Sequence, residues 1–308
     1  MARIPNTYLD VFPLCLGGNV FGWTANEQQS FDVLDAYAAA GGNFIDTADV
    51  YSAWVPGHSG GESETIIGRW MATRGTRNDM VIATKVGMAP GLKGLSATTI
   101  RAAAEASLRR LEIDRIDMYY AHADDPDTPL TESLHAFDAV LREGKVRYIA
   151  ASNYTAPRLA EALAVSSREG LARYMTLQPH YNLVHRSDYE GELRDLSTRE
   201  GLACFPYYGL AKGFLTGKYR PHTRIDSPRA ASASAYLDEH GLRLLATLDD
   251  IAAAHHATVA AVSLAWLMAQ PNVVAPIASA RSVEQLAELL PAASLSLSPE
   301  DLVRLNTD

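Results

Sequence analysis

The chain has 308 residues, 47% of them hydrophobic, which supplies a sizeable core and excludes disorder as a global description. A formal net charge of −9 and a pI near 5.5 give no basic face for a nucleic-acid backbone, so no nucleic-acid partner is expected. Cys15 and Cys204 lie in apolar runs without disulfide or metal spacing and read as small buried hydrophobes in a reducing compartment. The first residues lack the apolar core of a signal peptide, and no run approaches about 18 apolar residues. The expectation is a soluble, cytoplasmic protein with no membrane partner.

In chain order, residues 3–13 read as a hairpin that plugs one end of the fold. Residues 14–18 form the first buried strand. The glycines that follow it, Gly17-Gly18-Asn19-Val20-Phe21-Gly22, fail the dinucleotide fingerprint because position 19 is Asn and no helix follows at once. Residues 28–40 carry Phe31, Leu34 and Ala38 at helical spacing, and Gly41-Gly42 stop that helix. The alternation then repeats. Strands are expected at 43–46, 81–85, 116–122, 148–152, 175–178, 202–207 and 273–277. Helices are expected at 63–73, 96–111, 130–143, 156–169, 190–200, 241–256, 258–269 and 283–290.

Strands separated by helices run parallel, since the crossover is long and right-handed. Eight such units over this length close most naturally into a single-domain (β/α)8 TIM barrel spanning 1–308, with an open doubly wound sheet as the alternative. The connection 209–236, after strand seven, is too long for a plain connector and reads as a lid or binding loop. Residues 295–306 read as a C-terminal helix on the barrel exterior.

Sites of such folds gather at the carboxyl ends of the strands. Strand two ends at Asp46, with Tyr51 one loop-turn later. Strand three ends at Lys85 and strand four at His122. Singly, each has an ordinary explanation: a turn cap, a loop ring, a lysine that snorkels to water. Together, four ionisable side chains on three consecutive strand ends point to one site. No cluster with metal-ligand spacing is evident, so no metal is expected. The neighbours His255-His256 lie on a helix, where they point apart and read as solvated.

The order Asp46-Thr47-Ala48 to Tyr51, then Gly61-Glu62-Ser63-Glu64, Ala83-Thr84-Lys85, Ser152-Asn153, Gln178-Pro179-His180-Tyr181-Asn182, Leu210 to Lys218 and Ala280 to Leu286 resembles the aldo-keto reductases over nearly the whole chain. The likeness is to the bacterial branch that also resembles potassium-channel β subunits. It implies a catalytic tetrad of Asp46, Tyr51, Lys85 and His122, with Tyr51 as the proton donor to an aldehyde or ketone. Lys85 would lower the phenol pKa, Asp46 would hold Lys85 protonated, and His122 would bond the carbonyl oxygen.

The resemblance also implies an NADP(H) cofactor. Ser152, Asn153 and Gln178 would bond the carboxamide, and Tyr207 would stack on the nicotinamide. The loop carrying Tyr208, Leu210, Lys212, Gly213 and Lys218 would cross the pyrophosphate. Arg281 would meet the 2′-phosphate, with Gln285 and Glu288 at the adenosine; an arginine there favours NADPH over NADH. The family's usual Pro-Gly before that arginine reads Ala278-Ser279 here. Trp23, Trp54 and Met88, with Tyr208, could rim the substrate site and favour hydrophobic or ring-shaped carbonyl compounds. Two other readings stay open: a cofactor-binding redox-sensing or regulatory subunit, and an NAD(P)-dependent sugar or pyridoxal dehydrogenase. An oligomer is compatible with all three.

Overall fold

A computed structural model describes residues 1–307 and contains one eight-stranded parallel sheet. Its strands are β1 (Cys15–Gly17), β2 (Phe44–Asp46), β3 (Val81–Val86), β4 (Ile116–Ala121), β5 (Val146–Ser152), β6 (Tyr174–Gln178), β7 (Ala203–Cys204) and β8 (Ile277–Ala278). They pair in chain order, and β8 pairs with β1. The ring closes between β7 and the run before β8: Cys204 bridges Val273, its amide donates to Asn272 O at 2.8 Å, and Val274 N donates to Cys204 O at 3.1 Å. The chain is therefore a (β/α)8 barrel, as its alternating pattern predicts.

The helices are α1 (Glu27–Ala39), α2 (Glu62–Arg74), α3 (Ala97–Leu111), α4 (Leu130–Arg142), α5 (Ala156–Glu169), α6 (Glu192–Glu200), α7 (Ala230–Ser234), α8 (Glu239–Ala254), α9 (Val259–Met268), α10 (Val283–Leu289) and α11 (Pro299–Thr307). Their starts follow local chemistry. Asn26 and Gln29 form a reciprocal capping box at α1, while Ser96, Thr155 and Thr258 side chains cap α3, α5 and α9.

Two cores follow from this layering. A small inner cluster joins Cys15, Phe44, Ala83, Met118, Tyr120, Ala150, Ala203, Phe205 and Ile277 from inside the ring. Ile4, Leu9 and Val11 of the N-terminal hairpin (Ala2–Arg3 with Asp10–Val11) belong to the same cluster, so the hairpin plugs one end as expected. Asn43, just before β2, fastens it: Asn43 Oδ1 accepts from Phe12 N and Nδ2 donates to Asp10 O. That is the amino end of the strands, which leaves the carboxyl end for the site. The larger cluster fills the space between strands and helices.

Several boundaries depart from expectation. The run 202–207 supplies only Ala203 and Cys204 to the ladder, and of 273–277 only Ile277 belongs to β8, because Pro206 and Pro276 have no amide hydrogen to donate. A second hairpin, Met88–Ala89 with Leu92–Lys93, follows β3 and was not foreseen. The 209–236 connection is partly helical, with a 3-10 segment at Ala211–Thr216 and α7. The C-terminal helix α11 lies on the exterior as predicted, held by Trp266 Nε1 donating to Asn306 Oδ1 at 2.9 Å. His255 is not solvated as expected but pairs through Nε2 with Asp301 Oδ2 at 2.9 Å, tying the end of α8 to α11. Among the described residues no single helix is long and apolar enough to cross a membrane.

Candidate active site

Asp46 ends β2, and the chain leaves the barrel there in a tight series of turns. Thr47 Oγ1 donates to Ser63 Oγ at 2.8 Å, and Ser63 Oγ donates to Gly18 O at 2.8 Å. Gly18 has to be glycine: a Cβ there would stand 2.8 Å from Ser63 Oγ and 3.2 Å from Asp46 O. Ser52, in the left-handed region at φ 75°, donates its hydroxyl to Phe21 O at 2.9 Å. These bonds fix both ends of the loop that carries Tyr51.

The four strand-end side chains meet. Lys85 Nζ donates to Asp46 Oδ2 at 2.6 Å, to Thr47 O at 2.8 Å and to Tyr51 Oη at 2.9 Å. An ammonium has three protons, and all three are spent. Lys85 is fully buried and Asp46 nearly so, so each ion compensates the other's desolvation. Asp46 Oδ1 accepts from Gln178 Nε2 at 2.9 Å, while Tyr51 Oη stands 3.4 Å from Asp46 Oδ2. The His122 ring lies 6.1 Å from the Tyr51 ring, and its Nδ1 has no partner among the described residues. Burial, then the charge of Lys85, holds His122 well below its ordinary pKa, so the imidazole is neutral at pH 7.

One electrostatic expectation is overturned. Lys85 does touch the phenol, but it does not bring Tyr51 toward neutral pH. Burial first, then the charge and hydrogen bond of Asp46, raise Tyr51 well above its ordinary value. Burial disfavours the phenolate most, and with Asp46 at 2.6 Å the ammonium presents a dipole, not a free positive charge, to offset it.

A cavity of about 830 Å³ opens beside these groups. Asp46, Tyr51 and His122 line it, as do Ser152, Asn153, Gln178, Tyr207, Tyr208, Leu210, Lys212, Gly213, Lys218, Arg281, Gln285 and Glu288. Every cofactor residue expected from the sequence is therefore on one wall or another. Several already have protein partners. Ser152 Oγ donates to Gln178 O at 2.8 Å; Asn153 Nδ2 donates to His122 O at 2.8 Å, and Asn153 Oδ1 accepts from Tyr207 Oη at 2.8 Å. Ser279, where the Pro-Gly is replaced, bonds Asn19 Oδ1 at 2.6 Å. The aromatic rim is also present: Trp23 and Trp54 pack edge to face at 5.5 Å, Trp54 lies 6.1 Å from Tyr51, and Met88 lines the same cavity.

Three features escaped the sequence reading. Arg229, just before α7, lines the cavity with its guanidinium 5.4 Å over the Trp23 ring and no carboxylate within ion-pairing distance among the described residues. Burial pulls its pKa down, and the same is true of Lys218, which also feels Arg281. Asp49, two residues before Tyr51, is buried, and the Gly87 and Val50 amides near its carboxylate do not reach good hydrogen-bond geometry. Burial, then the Glu64 charge, raises its pKa to about 7. Lastly, His180, His185 and Asp188 meet, although their spacing matches no metal motif. Local sequence carries no signal for Arg229 or Asp49, since each depends on what long-range folding puts beside it; His180, His185 and Asp188 lie within nine residues and meet through a turn.

Residues 13–307 match the model of the aldo/keto reductase family. The chain is 35% identical to the uncharacterized oxidoreductase YrpG of Bacillus subtilis (strain 168), over 97% of this chain and 93% of that protein. It is 31% identical to Protein tas of Escherichia coli (strain K12), over 98% and 95%. It is 30% identical to the aryl-alcohol dehydrogenase GME11368 of Pestalotiopsis microspora, over 97% and 79%.

Proposed function

Because the chain belongs to the aldo/keto reductase family of oxidoreductases, we propose that it is an NADPH-dependent carbonyl reductase, with Tyr51 as proton donor and aromatic aldehydes or ketones as substrates. The observation that carries this reading is the single contact set of Lys85 with Asp46 and Tyr51 at the floor of the cavity. The nicotinamide cofactor, when bound, supplies the hydride that the protein's own side chains lack. A raised pKa keeps the Tyr51 phenol protonated at neutral pH, as a donor must be. When negative charge grows on the substrate oxygen, that phenol passes its proton and draws on Lys85 Nζ, 2.9 Å away. Neutral His122, which lines the cavity, holds the same oxygen and stabilises the developing charge.

The cofactor fits the wall chemistry. Lys218, Arg229 and Arg281 bring three cations into one cleft; burial and then Arg281 pull the Lys218 pKa down, and burial pulls down that of Arg229, which is costly unless an anion sits among them. A pyrophosphate with a 2′-phosphate meets that requirement, and Arg281 suits the 2′-phosphate through its planar fork. Tyr207 offers a ring face for the nicotinamide, and Gln178 Oε1 an acceptor for its carboxamide. The Trp23, Trp54 and Met88 rim favours flat apolar substrates, in keeping with the name of the aryl-alcohol dehydrogenase relative. The test is NADPH consumption with a panel of aromatic and aliphatic aldehydes, run beside Tyr51→Phe. A subunit that only senses cofactor would bind NADPH and turn over none of the panel.

A further inference from the structure

We propose that His180, His185 and Asp188 form a binding site for one divalent transition metal ion of the zinc type, set behind the Tyr207 ring. One ligand atom from each of the three side chains lies within 4.8 Å of the other two. The His185–Asp188 half is already close, with Nε2 and a carboxylate oxygen 2.7 Å apart. Tetrahedral zinc with bonds of about 2.0–2.2 Å places neighbouring donors roughly 3.3 Å apart. The donors must close by up to about 1.5 Å and the His185 ring must turn out of its stack on His180, a rearrangement that falls on accessible side chains: His185 is partly exposed and Asp188 largely so.

The backbone that presents the ligands is already fixed. Asn182 and His185 exchange amide bonds at 3.1 Å in both directions, closing a tight turn. Buried Asn182 anchors it, donating Nδ2 to Tyr208 O at 2.9 Å and accepting from Val184 N at 3.0 Å. His180 pairs with Tyr207 across the barrel strands. The donors therefore start from a preorganised frame, which lowers the cost of assembling a site.

The chemistry selects the ion. Two imidazoles and one carboxylate are borderline ligands that suit Zn²⁺, Ni²⁺ or Cu²⁺ and not the hard cations Mg²⁺ and Ca²⁺. His180 Nε2 lies 3.4 Å from the Asn182 Nδ2 donor, a long contact that an ion would replace. The His180 and His185 rings stack 3.7 Å apart at 13°, so an ion in the plane of both rings turns one of them out of the stack. Three protein ligands leave room for water or an external ligand.

The site has a route to the cleft. His180 stacks on Tyr207 at 5.3 Å and 19°, and Tyr207 lines the cavity. An ion that draws His180 toward His185 and Asp188 changes the support of that ring. The inference stands apart from the proposed reaction, because the ligands lie outside the catalytic contacts and the first readout is binding.

The experiment is titration of Zn²⁺ into the metal-stripped full chain by calorimetry at neutral pH, for wild type, His185→Gln, Asp188→Asn and His135→Gln. His135, which pairs only with Glu169 elsewhere on the surface, serves as the control. One tight equivalent is expected in wild type and in His135→Gln, with affinity at least ~10-fold weaker in the other two variants. Co²⁺ loading supplies a second readout, since its visible absorption reports coordination and should change in His185→Gln. Far-UV circular dichroism confirms that the variants fold, and both substitutions lie in an accessible turn. Absence of a tight equivalent in wild type, or equal affinity across all four proteins, overturns the site.

Discussion

Lys85 Nζ stands 2.9 Å from Tyr51 Oη, and its other two hydrogens are committed to Asp46 and to the Thr47 carbonyl. The lysine is thus locked in place by the strand end it faces, and two of its partners, Asp46 and Tyr51, line the cavity. From that relationship the first prediction follows. Replacing Tyr51 with Phe removes the transferable proton and leaves the ring packing intact. A drop in kcat of at least ~10²-fold is expected, with NADPH affinity by fluorescence titration nearly unchanged. Retained turnover would remove Tyr51 from the donor role.

The buried Lys85–Asp46 pair makes a stability prediction. Lys85→Met leaves an uncompensated carboxylate in the barrel mouth and should cost about 3–5 kcal/mol. Asp46→Asn combined with Lys85→Met removes both charges, so the double variant should be more stable than Lys85→Met alone. Denaturant unfolding of the three proteins measures this. Additive losses would show that the two charges do not compensate each other.

The cation cluster separates two kinds of cofactor contact. Arg281→Ala should weaken NADPH by about tenfold or more and leave NADH nearly unaffected, since a hydrogen bond between charged groups contributes roughly 1.5–3 kcal/mol. Arg229→Ala should weaken both cofactors, as expected of a cation beside the shared pyrophosphate. Dissociation constants for both nucleotides, measured across the two variants, decide the assignment. Equal loss of NADH and NADPH in Arg281→Ala would contradict a 2′-phosphate contact.

Asp49 gives a pH prediction with a definite sign. Its folded-state pKa, about 7, lies above the ordinary carboxylate value. The folded protein therefore holds a proton there that the unfolded chain releases. Stability from this group is fully present below about pH 4 and is lost as pH rises through 7. Asp49→Asn removes the charge, so it should flatten this part of the stability curve and stabilise the protein at pH 8. An unchanged pH dependence in the variant would show that Asp49 does not titrate in this range.

The barrel and the meeting of Asp46, Tyr51, Lys85 and His122 at its mouth were legible from the chain alone, and the reason is local. Hydrophobic runs of strand length alternating with helical stripes specify parallel strands, and parallel strands bring their carboxyl ends to one mouth. Asp46, Lys85 and His122 close three consecutive strands, so their meeting needs only that rule. Strand lengths were less legible: Pro206 and Pro276 thin the ladder beside β7 and β8, and the partner strand determines which amides pair.

What the tertiary structure alone decided is everything that depends on a neighbour distant in sequence. The Tyr51 phenol is raised, not lowered, because it is buried and because Asp46 spends the lysine charge at 2.6 Å. Arg229 reaches the cavity because the long connection folds back over Trp23, and Asp49 gains its raised pKa from burial beside Glu64. His180, His185 and Asp188 converge through a turn pinned by Asn182 to the following strand's loop. Periodicity encodes which face of an element is buried; the charge, solvent and contacts a side chain finds there are set by the packed fold, and those set its chemistry.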